Sequence, residues 1–274
     1  MNRYALITGA TGGLGKAFCV ECAKRGYNLM LTDISHDKLE KLANCLKSAY
    51  KVNVEVFVCN LMKLSERKAL YKKLDETGKE LFLTINIAGL DYEGGIETLN
   101  SNKISRVLRI NTESTLDITR YSATSNHSSD YYIINVASMA GFYPMPLKAL
   151  YSASKRAIIQ FSIAVREEIR HKGGHVTVLC PAGLRTNAKV RASIEAQGLM
   201  GDLTTVDTGI VAYKTIEKAF QDKVKYIPGL INVLIVGFSS LIPETIKAKY
   251  VYKRWATARS KKDTDSYKDN KVLY

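Results

Sequence analysis

Tyr151 and Lys155 stand four apart in the stretch YSASK, a spacing that puts both side chains on one face of a helix. A phenol is a poor proton carrier near neutrality, because its unperturbed pKa is about 10. A neighbouring ammonium favours the phenolate, and the positive end of a helix adds to that effect. Such a pair is suited to moving a proton to or from a reacting oxygen. Tyr and Lys at this spacing are also common on plain helix surfaces, so the pair takes its meaning from its surroundings. Ser138 supplies some: it closes the run INVAS thirteen residues before Tyr151, where a hydroxyl can hydrogen-bond a substrate oxygen. Asn111, at the end of VLRIN, is placed to carry a water to Lys155, or else to interrupt its own helix with a backbone hydrogen bond.

These residues need a scaffold that gathers them, and the start of the chain indicates which one. Arg3–Thr8 (RYALIT) reads as a buried strand, Gly9–Gly15 (GATGGLG) as a turn, and the residues from Lys16 onward as a helix. Glycines crowd such a turn because a backbone without Cβ bends tightly and lets a phosphate approach its N–H groups. A helix start behind the turn adds unpaired donors and partial positive charge, which suits a pyrophosphate. The spacing is Gly9-x-x-x-Gly13-x-Gly15, not G-x-G-x-x-G, so the order strand, turn, helix carries the inference. Asp33 follows the next strand, Tyr27–Thr32, eighteen residues beyond Gly15. An acid there accepts hydrogen bonds from the adenosine ribose and repels a 2′-phosphate, which favours NAD(H) over NADP(H).

The rest of the chain alternates in the same way. Helical spacing is expected over Asp37–Tyr50, Ser65–Thr77 with Ser65 as its cap, Thr98–Ala123, Leu150–His171 and Val206–Gln221. Strands are expected at Val52–Val58, Leu81–Asn86, Tyr131–Val136, His175–Cys180 and Lys225–Ile227. This pattern predicts an α/β fold, a Rossmann-like doubly wound parallel sheet of about seven strands with helices on both faces. Every candidate residue then falls at the carboxyl end of a strand or in the loop after it, where such sheets bind ligands.

Composition narrows the function classes. The 274 residues, 46% hydrophobic and 24% charged, suit one large domain, expected over 1–259, with a polar, mobile tail over 260–274. The five cysteines are scattered, which argues against a disulfide framework, and Cys19 and Cys22 read as two small buried residues of the first helix. A strand beginning at residue 3 leaves no room for a signal peptide, and the expected location is cytoplasmic. The net charge of +14 is spread along the chain, so a basic solvated surface is favoured and no nucleic-acid partner is expected.

With these motifs in place, the sequence over roughly residues 3–230 resembles the short-chain dehydrogenases/reductases. Thr8-Gly9-x-x-x-Gly13-x-Gly15 is similar to that family's cofactor loop, and Asn86-Ile87-Ala88-Gly89 to its Asn-Asn-Ala-Gly, with Ile87 in place of the second asparagine. Asn111, Ser138, Tyr151 and Lys155 resemble its catalytic tetrad. Pro181-Ala182-Gly183-Leu184-Arg185-Thr186 resembles its Pro-Gly-x-Val-x-Thr segment, with Ala182 in place of glycine, and Asn60-Leu61 stands where it carries an aspartate beside the adenine. The resemblance implies that Gly9, Thr11, Gly12, Gly13, Leu14, Gly15, Asp33, Asn60, Leu61, Asn86, Ala88, Gly89, Pro181, Ala182, Gly183, Leu184 and Thr186 line a dinucleotide site, with Tyr151 and Lys155 beside the nicotinamide. It implies Tyr151 as acid/base, Ser138 orienting the substrate oxygen, Lys155 lowering the tyrosine pKa and holding the ribose, and Asn111 in a water relay. It also implies a homodimer or homotetramer.

The expected substrate is an apolar secondary alcohol or ketone of hydroxysteroid or long-chain acyl type. It would meet Phe142, Tyr143, Met145 and Leu147 and the segment after Thr186. No metal is expected. The apolar run Tyr226–Ile242 and the basic, aromatic residues after it read as a lid or subunit interface ahead of a peripheral contact with an anionic membrane. A non-catalytic dinucleotide sensor is the second reading, and an intact Ser138, Tyr151 and Lys155 argues against it.

Overall fold

A computed structural model describes residues 3–125, 127, 130–184 and 204–253. Seven strands form one parallel sheet in the order β3-β2-β1-β4-β5-β6-β7. They are β1 (Tyr4–Thr8), β2 (Asn28–Asp33), β3 (Val54–Val58), β4 (Leu81–Asn86), β5 (Tyr131–Val136), β6 (Gly174–Leu179) and β7 (Lys225–Tyr226). The strand order turns back between β1 and β4, so the crevice outside their carboxyl ends lies between the loops after those two strands.

Strand side chains alternate between faces, and both faces of this sheet are covered. Ala5 and Ile7 of β1 join Leu29, Leu31, Leu83 and Ile85 under α1 (Gly13–Lys24), α2 (His36–Tyr50) and α7 (Thr208–Phe220). Tyr4 and Leu6 join Met30 on the opposite face with Leu70 and Leu74 of α3 (Leu64–Glu76) and Ile118 of α5 (Ser114–Thr124). The long α6 (Ala149–Ile169) lays Ile158, Ile159 and Val165 against β5 and β6. Burying a whole strand such as β1 on both sides explains why it reads as a nearly unbroken apolar run.

Three local expectations are corrected. The first helix begins at Gly13, not Lys16, so Gly13 and Gly15 belong to its opening turn. The third helix is not capped by Ser65: it starts at Leu64 after Lys63, with no side-chain cap, because Asn60 has already turned the chain through the Lys63 N–H. The stretch expected as one helix over Thr98–Ala123 is α4 (Ser101–Val107), a π-helical segment Leu108–Glu113 and then α5. A π segment widens the helix, and such bulges cluster at functional sites. Here it carries Asn111.

After β7 the apolar run becomes α8 (Leu230–Ser239), followed by a helix over 244–253. Among the described residues no helix is long and apolar enough to cross a membrane. Residues 254–259 and the tail over 260–274 lie outside the described residues.

Candidate active site

The glycine turn has the geometry of a phosphate cradle. Gly9 sits at φ 62°, in the left-handed region, and a Cβ on it would press on the Ala88 backbone at 3.0 Å. A Cβ on Gly15 would lie 2.1 Å from the Gly9 carbonyl oxygen, so no other residue fits there. The Gly12 N–H donates to that carbonyl at 3.1 Å and closes the turn. No side chain caps the N-terminus of α1, which leaves its first donors aimed out of the protein beside Gly12 and Gly13. Leu14 is buried beneath the turn and anchors it to the core.

Asp33 locks this turn to the end of β2. Its Oδ2 accepts from the Thr11 N–H at 3.0 Å and from the Thr11 hydroxyl at 2.7 Å, and its Oδ1 accepts from the Ile34 N–H at 2.7 Å. A carboxylate has about four acceptor positions, so these three bonds leave capacity for one more donor. Across the crevice, the Thr8 hydroxyl accepts from the N–H groups of Ile87 and Ala88 at 3.0 and 3.2 Å, pinning the loop after β4 against β1. Gly89 follows; a Cβ there would come within 3.1 Å of Asn111 Oδ1 and 3.5 Å of Lys155 Nζ, so its bareness lets the three strand ends converge.

Not every candidate faces the crevice with its side chain. Asn86 is buried and donates to Thr119 Oγ1 and Asn135 Oδ1 at 3.2 and 2.8 Å, so its amide cross-links β4, β5 and α5. Asn60 Oδ1 accepts from the Met62 N–H at 3.1 Å, and the buried Leu61 gives its carbonyl to Arg67. Pro181 accepts from the Met139 N–H at 2.9 Å, while Ala182 and Gly183 continue to Leu184, which bridges to Val206. Thr186 and the substrate-side segment after it lie outside the described residues.

The proton-transfer candidates meet at the ends of β5 and β6. Ser138 leaves β5 in extended backbone, and its Oγ accepts from the Ala140 N–H at 3.1 Å, which fixes the hydroxyl at the start of a 3₁₀ turn. That hydroxyl is hydrogen-bonded to the Tyr151 phenol. One turn further along α6, Lys155 is buried, and its Nζ donates to the Val136 carbonyl at 2.9 Å, 5.8 Å from the tyrosine ring centre. Burial pushes the Lys155 pKa down to about 8, against the raising influence of Cys180 and Asp91. The expected lowering of the tyrosine is reversed. Burial first, then the Asp91 charge, push the Tyr151 pKa up to about 12, with only the Ser138 hydrogen bond pulling it back. The reason is geometric: the ammonium is drawn to the Val136 carbonyl at the end of β5 and away from the phenolic oxygen's first contacts.

Asn111 is fully buried, and its side chain is spent on neighbours. It accepts from the Leu90 N–H at 2.7 Å and donates to the Leu90 carbonyl at 2.9 Å and to Ser154 Oγ at 3.0 Å. The amide therefore ties the loop after β4 to α6 rather than standing free to carry a water. Its carbonyl accepts from the Thr115 hydroxyl at 2.9 Å.

Reading the sequence alone missed Ser154, Thr8 as a clamp, and the ion pair between Lys148 Nζ and Asp91 Oδ2 at 2.7 Å. Ser154 sits beside a residue already singled out, and its helical position was the available signal. Nothing in the sequence pairs Asp91 with Lys148, which lie far apart along the chain.

The cradle, the ribose-side carboxylate and the glycine gap beside Lys155 fit a nicotinamide dinucleotide. A seven-stranded doubly wound sheet carrying that cradle defines a dinucleotide-binding protein of the Rossmann class. A profile described as short chain dehydrogenase matches residues 3–197. The chain belongs to that family, whose members are NAD(P)-dependent oxidoreductases. A very-long-chain 3-oxoacyl-CoA reductase from Anas platyrhynchos is 34% identical over 188 residues, 66% of this chain and 59% of that one. The chain spans about three fifths of the length of the first such curated relatives it matches. Among solved structures, a 7beta-hydroxysteroid dehydrogenase superposes with a TM-score of 0.78 at 22% identity, covering 91% of this chain and 96% of the other. A short-chain dehydrogenase from Sphingobium yanoikuyae in complex with NADPH gives 0.75 at 24% identity, covering 88% and 97%. At such identities these likenesses speak for the fold.

Proposed function

We propose that this protein is an NAD(H)-preferring oxidoreductase that interconverts a secondary alcohol and a ketone, working as a reductase on an apolar, long-chain 3-oxoacyl type of substrate. One observation carries the reading: Ser138, Tyr151 and Lys155 meet at the carboxyl edge of the sheet, directly across from the glycine cradle. Gly9, Thr11, Gly12, Gly13, Gly15 and the α1 N-terminus hold the pyrophosphate, Asp33 the adenosine ribose, and Lys155 the nicotinamide ribose. The bound dinucleotide supplies hydride in the reductive direction and accepts it in the oxidative one. Ser138 donates a hydrogen bond to the substrate carbonyl oxygen and orients it. As that oxygen gains electron density, Tyr151 gives it the phenolic proton, so one O–H bond breaks on the enzyme and one forms on the product. The phenolate then recovers a proton from solvent by way of Lys155. Asn111 holds the loop after β4 and α6 in register so that these distances are kept.

The reductive direction is supported by the raised Tyr151 pKa, which keeps the phenol loaded with a proton, and by what the curated relatives are named for. Phe142, Tyr143, Met145 and Leu147 line the partly exposed approach to Tyr151 and support an apolar substrate. The NAD(H) preference rests on Asp33, whose charge repels a 2′-phosphate. Ketones of increasing chain length, read at the nicotinamide absorbance with both cofactors, test all three points. Equal use of NADPH by the wild type and by Asp33→Ser would remove Asp33 from the argument.

The partner reading is a homo-oligomer. Leu230, Phe238 and Leu241 on and after α8 are 76%, 68% and 81% exposed, an apolar surface that supports contact with a second copy of this chain. Sedimentation tests it. Monomeric protein that floats with anionic vesicles would reassign this face to a membrane.

A further inference from the structure

The loop after β4 and the loop before α6 are fastened together at the mouth of the site. Lys148 Nζ lies 2.7 Å from Asp91 Oδ2 and 3.7 Å from Glu93 Oε2, with the lysine side chain only 11% exposed. A second fastening lies beside it, where the Gly94 N–H donates to the Leu147 carbonyl at 2.7 Å. Leu147 is held at φ 64°. A bulky residue keeps the left-handed region only where surrounding contacts impose it. Lys148 is also the N-cap residue of α6, three residues before Tyr151, and its Nζ stands 5.9 Å from the tyrosine ring centre. The two loops thus bring one carboxylate and one ammonium to the approach to the phenol.

We infer that Asp91 and Lys148 form a charged latch that joins the two mouth loops and acts as a positioning pair for Tyr151, with Asp91 holding the phenol in its proton-donating form and Lys148 opposing it. This rests on the reading of Tyr151 as the proton donor. The charged and polar groups that face Tyr151 are Asp91 and Glu93 from the loop after β4, Lys148 and Lys155 from α6 itself, and Ser138 from the end of β5. Cys180, at the end of β6, faces Lys155. Asp91 raises both Tyr151 and Lys155. A reductase benefits from both effects, since one keeps the acid loaded and the other keeps the cation that reloads it.

The two members of the latch have opposite charge, so removing them one at a time gives opposite signs. In Asp91→Asn the phenol loses a neighbouring anion and retains the Lys148 cation. The alkaline limb of the reductive pH–rate profile should move to lower pH by roughly one unit. In Lys148→Met the anion stands unopposed, and the limb should move to higher pH. A clasp with no electrostatic role would raise KM or lower Tm in both variants and leave the limb in place, or move it the same way in both; either result overturns the inference. The ¹³Cζ resonance that disappears in Tyr151→Phe reports the phenol directly, without turnover. Activity retained in Tyr151→Phe would sink the proton-donor reading, and the opposed shifts of that resonance would still decide the latch.

Discussion

The two edges of the sheet treat buried charge in opposite ways. At the amino edge, Arg166 grips Asp222 with two bonds of 2.5 and 2.6 Å, and His175 Nδ1 lies 2.7 Å from the same carboxylate. Those contacts hold the Asp222 pKa well below the usual carboxylate range, with the Arg166 hydrogen bond as the chief cause. Nearby, a cavity of about 320 Å³ is walled by Arg3, Tyr27, Phe82, Asp130, Tyr132 and Phe220, with the Arg3 guanidinium 4.3 Å from the Phe82 ring centre. At the carboxyl edge, Lys155 is buried against a carbonyl and Tyr151 against a serine, and burial moves both away from their charged forms. One edge is stabilised by its ions, whereas the other stores a desolvation cost. Perturbed groups of the second kind, gathered in a cleft, are what a proton-transfer site requires.

The largest effect should come from breaking the carboxyl edge chemically. Tyr151→Phe removes the proton donor and should lower turnover by about 10² to 10⁴-fold, with dinucleotide affinity and Tm close to wild type. Affinity measured by fluorescence alongside turnover separates the two. Loss of both together would make Tyr151 a structural residue.

Lys155 gives the next effect, and it appears in stability. Its folded pKa of about 8 lies below the ordinary lysine value, so between pH 8 and about 10.4 the unfolded chain binds a proton that the folded one does not. Stability should therefore rise with pH across that window. Tyr151 works the other way above about pH 10, because its raised pKa makes the folded chain the better proton binder. Lys155→Met should flatten the rise. It should also stabilise the protein near neutrality by up to about 3 kcal/mol, less the cost of leaving the Val136 carbonyl without its donor. Urea midpoints measured from pH 7 to 10 check the slope and its loss.

The amino edge should respond with the opposite slope and a smaller size. Asp222 has a lowered folded pKa, so its contribution is full above the unfolded value near 3.9 and is lost as pH falls below it. Asp222→Asn should cost about 2 kcal/mol at neutral pH, discounted from the figure for fully buried pairs because the aspartate side chain is 30% exposed. It should leave the pH–rate profile of turnover unchanged, since His175 and Arg166 face away from the site.

Much of this was legible in the sequence because its causes are local. Apolar runs of strand length, glycines where a Cβ would strike Gly9 or the Ala88 backbone, and Tyr and Lys one helical turn apart are fixed by near neighbours. The parallel sheet and the placing of Ser138, Tyr151 and Lys155 at its carboxyl edge followed from them. What stayed hidden depends on chain segments that meet only after folding. The phenol's pKa is set by Asp91, sixty residues away in sequence, and by burial, and neither is written into YSASK. Asn111 looked like a carrier of water because its π segment has no clear sequence mark; its amide is taken by Leu90 and Ser154. The Ser65 cap was misplaced because Asn60 turns the chain before that serine is reached.

Two buried threonines allow the finest comparison of the edges. Thr8 at the carboxyl edge accepts from the Ile87 and Ala88 N–H groups, and Thr177 toward the amino edge donates to the Lys223 carbonyl at 2.7 Å. Replacing either with Val keeps the shape and removes the hydroxyl. Thr177→Val leaves one carbonyl without its bond, at a cost of about 1 kcal/mol, and should leave turnover unaltered. Thr8→Val leaves two N–H groups unpaired and frees the loop that carries Gly89 beside Lys155. It should cost about 2 kcal/mol and also raise KM for the dinucleotide, because the cradle and the loop lose their common clamp. Equal kinetic effects from the two variants would mean that the edges are not specialised, and that the polarity of the carboxyl edge is ordinary packing.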